Sequence, residues 1–293
     1  MNRKYFFKYA KDKILNYIYR VTCKRPNVLN DLDTIDYILK NRCSITRFGD
    51  GELRLMRGID LEFQDYNKEL SKKLKSCKTN DKCLVCIPDI FNRASFNLDN
   101  IKPGPYEYWE QFKSNRGGLW NFYFGKQTIL GDAFISRFYL RKKDATKIPA
   151  YVQKLKQLWQ DRNIIFVEGA QSRLGVGNDL FDNAKSIKRI LCPPVNSYEK
   201  YNEIKQAILD NANKEDLVIL ALGPTATALA FEMSEYCQCL DLGHIDIEYE
   251  WFRMGATKKV PIPSKYVNEA DGGRNPEDST DEKYKSEIIR TIN

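Results

Sequence analysis

The stretch Leu217-Val218-Ile219-Leu220-Ala221-Leu222-Gly223-Pro224-Thr225-Ala226-Thr227 decides the fold of this 293-residue chain. It begins as a short, uniformly apolar strand, the mark of a strand covered on both faces. A glycine follows, then a proline near the first turn of a helix, where its missing N–H is harmless. The same unit recurs on either side. A helix over 151–159 leads to Ile164-Ile165-Phe166-Val167, and a glycine-bearing loop and a helix lead on to Arg189-Ile190-Leu191-Cys192, stopped by Pro193-Pro194. A helix over 198–209 precedes the quoted strand and one over 225–236 follows it, before the last strand, Cys239-Leu240-Asp241-Leu242. Short apolar strands alternating with helices predict an α/β fold, a Rossmann-like parallel sheet with helices on both faces.

Towards the N-terminus the pattern predicts a strand at Leu84-Val85-Cys86-Ile87-Pro88, a strand at Ser44-Ile45-Thr46-Arg47 broken by a turn at Gly49-Asp50-Gly51, and a capped helix from Asp31 or Asp33. Residues 92–131 are aromatic-rich and read as irregular. Residues 1–26 form a separate unit, a basic amphipathic helix with Phe7, Ala10, Ile14, Ile18 and Val21 at helical spacing. Such a stripe is expected to dock on the body of the protein or on a second subunit, and a membrane interface is the sharper alternative. The main domain then runs over 27–270. Residues 271–293 read as a polar linker and a short C-terminal helix.

Composition excludes several classes. With 42% hydrophobic and 29% charged residues the chain is of ordinary globular type. No apolar run approaches the roughly 18 residues of a membrane span. Charges interrupt every apolar stretch near the N-terminus, unlike a secretory signal. A cytoplasmic enzyme is the expectation, with peripheral contact at the inner face of a membrane as an option for the basic helix. The net charge of +8 sits largely in that helix, so it gives no argument for nucleic-acid binding. Eight cysteines include one CxxC (Cys83, Cys86) and one CxC (Cys237, Cys239), beside the single histidine His244. That is too few paired ligands for structural zinc, and reduced, buried thiols are expected.

In a parallel α/β sheet ligands bind where strand ends meet helix starts, and four segments qualify. Residues 168–179 leave the strand ending at Val167; Gly175 and Gly177 allow close backbone approach, and Arg173 is a candidate phosphate partner. At 222–227, Thr225 and Thr227 suit either an anion or simple helix capping. In Asp241-Leu242-Gly243-His244-Ile245-Asp246-Ile247-Glu248-Tyr249-Glu250-Trp251 an extended backbone would put Asp246, Glu248 and Glu250 on one face. Three such carboxylates invite a hard divalent ion, Mn²⁺ or Mg²⁺. The fourth segment, Arg47-Phe48-Gly49-Asp50-Gly51-Glu52, reads as a turn with a salt bridge or as part of a site.

Together the four segments, in chain order from residues 47–52 through 167–180 and 222–227 to 241–251, resemble the GT-D-fold glycosyltransferases, a bacterial family long catalogued as a domain of unknown function. The resemblance covers about residues 33–269. It implies a Rossmann-like fold distinct from the GT-A and GT-B types, a UDP-sugar donor, and a divalent metal on a DxE motif that maps to Asp246 and Glu248. It also implies hexose transfer to a glycan or glycoprotein acceptor in surface glycoconjugate synthesis. On this reading Arg47, Gly49, Arg173, Gly175, Gly177, Asn178, Thr225, Thr227 and His244 contact the nucleotide sugar. Asp50, Glu52 and Glu250 are the candidates for a catalytic carboxylate. A nucleotide-dependent phosphotransferase or hydrolase, or a non-catalytic binding module, are the competing expectations.

Overall fold

The computed structural model describes residues 3–293, with side chains described from Ala10 onward. In chain order, helix α1 (Arg3–Thr22) precedes α2 (Asp31–Asn41), strand β1 (Ser44–Arg47) and the short helices α3 (Asp50–Met56) and α4 (Lys68–Ser76). Strand β2 (Cys83–Ile87), the long helix α5 (Pro103–Phe124), β3 (Gly131–Asp132), α6 (Ile148–Lys156), β4 (Asn163–Gly169) and β5 (Ser186–Cys192) follow. Helix α7 (Tyr201–Asn211), β6 (Leu217–Ala221), α8 (Pro224–Met233), β7 (Gln238–Asp241) and α9 (Ile245–Arg253) come next, and α10 (Glu282–Glu287) runs directly into β8 (Ile288–Thr291). The strands form one sheet in the order β3-β2-β1-β7-β6-β4-β5-β8. Every pairing is parallel.

The quoted strand shows why the sheet is covered twice. In β6, Val218 and Leu220 join an apolar cluster with residues of α3, α4, α5, α7 and α8. Leu217 and Ile219, one step out of phase, join a second cluster with residues of α2, α6 and α9. A strand buried on both faces loses its alternation and reads as a continuous apolar run. The expected Rossmann-like parallel architecture is therefore the one observed.

Four local expectations are corrected. No helix lies between β4 and β5: Arg173, Gly175 and Gly177 take positive φ values of 51, 75 and 78°, which turn the chain repeatedly instead of winding it. Residues 103–124, read as irregular, are α5. Its aromatics face several sides, with Phe112, Trp120 and Phe124 buried and Tyr108 and Phe122 exposed, so no apolar stripe marks it. The Gly49-Asp50-Gly51 turn is the start of α3, with Gly49 as N-cap and Glu52 reaching back to the Gly49 amide, the half of a capping box that a glycine permits. At the C-terminus, β8 extends the sheet beyond β5, with Tyr284 and Ile292 buried beside it.

The basic helix also departs from expectation. Helix α1 docks on α5, but through a mixed face rather than the expected stripe: Asp12 and Asn16 are buried and Leu15 and Tyr19 half-buried, whereas Ala10, Ile14, Ile18 and Val21 of the stripe are exposed and the Phe7 side chain lies outside the described residues. Asn16 holds the contact, accepting from the Gly118 amide at 2.7 Å and donating to the Ser114 carbonyl at 3.0 Å. These bonds satisfy backbone groups of the neighbouring helix, and Leu15 and Tyr19 add apolar contact on the same side.

Candidate active site

After β1 the chain enters α3 on one face of the sheet, and after β7 it enters α9 on the other. The adjacent strands β1 and β7 therefore part at their carboxyl ends and open a crevice.

Arg47, the last residue of β1, closes the floor of this crevice. Its Nε donates to the Asp241 carbonyl at 2.6 Å, Nη2 to Asp241 Oδ1 at 3.1 Å and to the Gly243 carbonyl at 3.0 Å, and Nη1 to Ser136 Oγ at 2.6 Å. Thr227 Oγ donates to the other Asp241 oxygen at 3.1 Å. Arg47 and Thr227 thus tie β1, β7, α8 and the loop after β3 into one network. A guanidinium with this many partners positions the strands instead of reaching for a ligand.

The first turn of α3 sets two carboxylates above that floor. Glu52 Oε2 accepts the Gly49 amide at 2.6 Å. Burial pushes Glu52 up to about 7, and the Asp241 and Asp50 carboxylates add to the shift. Asp50 stands at the rim, where Tyr108 of α5 donates its hydroxyl to Oδ2 at 2.8 Å.

The acidic run is a helix, not a strand. His244 takes φ 72° and serves as the N-cap of α9. The alternation in the sequence misleads because this helix is buried almost all round: Ile245, Ile247, Tyr249 and Trp251 are buried, and so are Asp246 and Glu248. Helical spacing then separates the DxE pair. Asp246 and Glu250, four apart, share one side. Asp246 Oδ1 accepts from the Gly175 amide at 2.9 Å and from Asn178 Nδ2 at 2.7 Å, and Lys265 Nζ lies 2.6 Å from Oδ2. Glu250 Oε1 meets the same Asn178 at 2.6 Å and Lys265 at 3.1 Å. Glu248 faces away and accepts the Tyr139 and Leu140 amides at 2.8 and 3.0 Å. Burial raises its pKa, with Arg137 and those two amides opposing.

As placed, Asp246 and Glu248 do not converge on one cation. Among the described residues no group of three or more His, Cys, Asp or Glu side chains is arranged to hold a metal. The charge of Asp246 is answered by Lys265, which is 1% exposed. Nothing in its sequence context distinguishes this lysine from the chain's other lysines.

A second cluster also escapes the sequence. Arg137 grips Glu269 with two parallel bonds of 2.9 and 2.6 Å, Lys259 reaches the same carboxylate at 2.7 Å, and His244 Nε2 lies 3.4 Å from it. Burial works against the Glu269 charge, but Arg137, joined by Lys259, outweighs it and holds the carboxyl far below its usual range. Burial likewise drives His244 down to about 3, with Arg137 adding, so its imidazole is neutral. Glu248 and Asp50 lie in the field of Arg137 as well, which joins the α3 and α9 motifs around one guanidinium.

The remaining expected contacts divide. Thr225 and Thr227 are buried, and Thr225 bonds Gln64 at 3.4 Å, so both hydroxyls serve the protein itself. Arg173 is buried too, with Nη1 on the Ser264 carbonyl at 2.7 Å and on that of Glu277. It staples the segment after α9 to the β4 loop and is not presented to a phosphate. Gly175 and Asn178 shape the Asp246 pocket, and the carbonyl of Gly177 accepts from Arg253 at 2.9 Å.

A parallel sheet that opens at such a reversal, with polar groups from the ends of β1, β3, β4, β6 and β7 around it, defines an open α/β protein with its ligand crevice at a topological switch point. The family model for the glycosyltransferase GT-D fold matches residues 45–270. The chain belongs to the GT-D-fold glycosyltransferase family. It is 38% identical over 273 residues to the probable glycosyl transferase Gly of Streptococcus gordonii, covering 92% of this chain and 39% of that one. It is 37% identical to the glycosyltransferase GlyD of Streptococcus pneumoniae serotype 4, covering 89% of this chain and 32% of the relative. The chain thus spans well under half the length of these curated relatives. Among solved structures, a new glycosyltransferase (DUF1792) from Streptococcus sanguinis superposes with a TM-score of 0.86 at 38% identity, covering 92% of this chain and all of that one. The highly conserved domain of unknown function 1792, described as having a distinct glycosyltransferase fold, gives 0.84 at 38% identity over 98% of this chain.

Proposed function

We propose that the chain transfers a hexose from a UDP-sugar to a hydroxyl of a glycan or glycoprotein acceptor during synthesis of bacterial surface glycoconjugates. One observation carries this reading. The four motifs of the resemblance, more than a hundred residues apart at their extremes, are bonded to one another at a single sheet edge. Arg47 holds Asp241, Thr227 holds both, and Gly175 and Asn178 hold Asp246.

Within that reading the inner groups keep the crevice open and the rim groups meet the ligand. Asp50, Tyr108 and His244 border the opening. Of the three carboxylates expected to act as base, Glu250 is tied to Lys265 and Asn178, and Asp50 to Tyr108. Glu52 is the best suited, because a carboxyl at about 7 exchanges protons near neutrality. As the acceptor of a hydroxyl proton it must be ionised, so activity is expected to rise as pH passes upward through about 7. Glu52→Gln keeps the cap and removes the base. It is expected to lose about 10²–10⁴ in kcat together with that ascending limb. An unchanged pH profile in the variant eliminates Glu52 as the base.

The divalent cation, Mn²⁺ or Mg²⁺, belongs to the same proposal on grounds of charge. A diphosphate entering the crevice would bring further negative charge beside Asp50 and Glu269, which lie in the field of Arg137, and an accompanying cation relieves that repulsion. Binding the ion through Asp246 requires that carboxylate to leave Lys265. Titration of UDP with and without Mn²⁺, on the wild type and on Asp246→Ala with Glu248→Ala, tests donor and metal together. Tight binding only with Mn²⁺, lost in the variant, is expected. Equal, metal-independent binding in both removes the metal assignment, and release of product from ATP but not from UDP-sugars removes the transferase reading.

A further inference from the structure

Helix α1 is attached to the protein by the face that carries Asp12, Leu15, Asn16 and Tyr19, and that leaves its apolar stripe outward. The attachment is built in. A Cβ at Gly118 or at Gly125 of the α5 region would collide with the backbone carbonyl of Asn16 or of Lys24, so these two glycines admit α1 at close backbone distance. Arg57 Nε meets Asp12 at 2.9 Å, and Tyr19 stacks on Phe122 with centroids 4.4 Å apart. The opposite side carries Ile14, Tyr17, Ile18 and Val21, which are 63, 73, 43 and 72% exposed. They lie at i, i+3, i+4 and i+7, one continuous stripe.

Basic residues border this stripe. Lys11, Lys13, Arg20, Lys24 and Arg25 are exposed around it. The single acidic residue among the first thirty, Asp12, is turned inward onto Arg57. No anionic side chain of α1 therefore balances the outward face.

We propose that this face of α1 binds an anionic lipid bilayer surface, with the apolar stripe entering the interface and the flanking lysines and arginines meeting lipid headgroups. Charge decides between a bilayer and a second copy of the chain. Pairing two such helices sets the same basic borders against one another, whereas a bilayer carrying acidic lipid supplies a counter-charge to each. The pairing of Asn16 with Ser114 and Gly118, and of Lys24 with Gly125, shows that α1 runs parallel to α5. Its N-terminal end thus lies towards the end of α5 from which Tyr108 reaches Asp50. The bound surface would adjoin the rim of the crevice. This inference stands apart from the transfer reading, since it rests on α1 alone.

Flotation of the full chain with vesicles tests it. Binding to phosphatidylcholine vesicles containing phosphatidylglycerol is expected, weakened at least about tenfold on phosphatidylcholine alone and by high salt. Ile14→Ser with Ile18→Ser is expected to weaken binding at least as much, with the melting temperature unchanged because both side chains are exposed. Lys11→Glu with Lys24→Glu is expected to do the same by charge. Absence of binding to the acidic vesicles overturns the proposal, and so does binding that the two double variants leave intact. A concentration-dependent dimer that Ile14→Ser with Ile18→Ser dissociates, without vesicle binding, assigns the face to a second copy instead.

Discussion

Helices α1 and α9 both turn acidic side chains inward, and they differ in how completely. In α1, Asp12 meets Arg57 at the edge of a helix contact, with side-chain exposures of 8 and 23%. In α9, Asp246 meets Lys265 with exposures of 3 and 1%, and shares its donors with Glu250. Water reaches the Arg57 side of the first pair and scarcely touches the second. Removing one partner therefore has different consequences: near the surface an ion pair contributes little, whereas in the interior the abandoned charge itself is the cost. The α1 pair fastens an appendage, and the α9 pair organises the sheet edge where the motifs meet.

That contrast can be broken by experiment. Lys265→Met leaves Asp246 buried without its counter-charge and is expected to cost about 3–5 kcal/mol of stability by chemical denaturation. Recovery of most of that loss in Lys265→Met with Asp246→Asn would identify the stranded charge as the cause. A cost below that of the α1 variants would invert the comparison. Gly118→Ala sets a methyl group against the Asn16 carbonyl and is expected to cost about 1–3 kcal/mol by overpacking. Because the strain falls on the α1–α5 contact, limited proteolysis should cut first within α1 while the sheet stays protected. Asp12→Asn, the mildest change, is expected to cost about 1 kcal/mol or less, and less still in high salt. A loss as large as that of Lys265→Met would show that α1 is part of the core.

The central strands were legible because burial on both faces writes itself as an apolar run, as in Leu217-Val218-Ile219-Leu220. The edges were not. Strand β3 is two residues long, and β8 has only one half-buried residue among exposed ones, so neither leaves an apolar signature. Helix α5 was hidden by aromatics on several faces. The α9 sequence looks like a strand because an almost fully buried helix with alternating acids mimics a period of two. At the site, the motif residues were found but not their roles. Arg173, Thr225 and Thr227 sit at the right edge yet serve the protein's own backbone and side chains. Arg137, Lys259, Lys265 and Glu269, which set its electrostatics, come from loops with no motif of their own.

By itself the sequence determined the parallel α/β sheet, the edge at which its chemistry collects and the family to which it belongs. Those follow from hydrophobic runs, glycine and proline positions, and the order of short motifs, all local properties of the chain. Only the tertiary structure decided which carboxylates face one another, which cation answers each, and which side of α1 is left outward. Such pairings join residues up to two hundred positions apart, and their strength depends on burial, which no local pattern records.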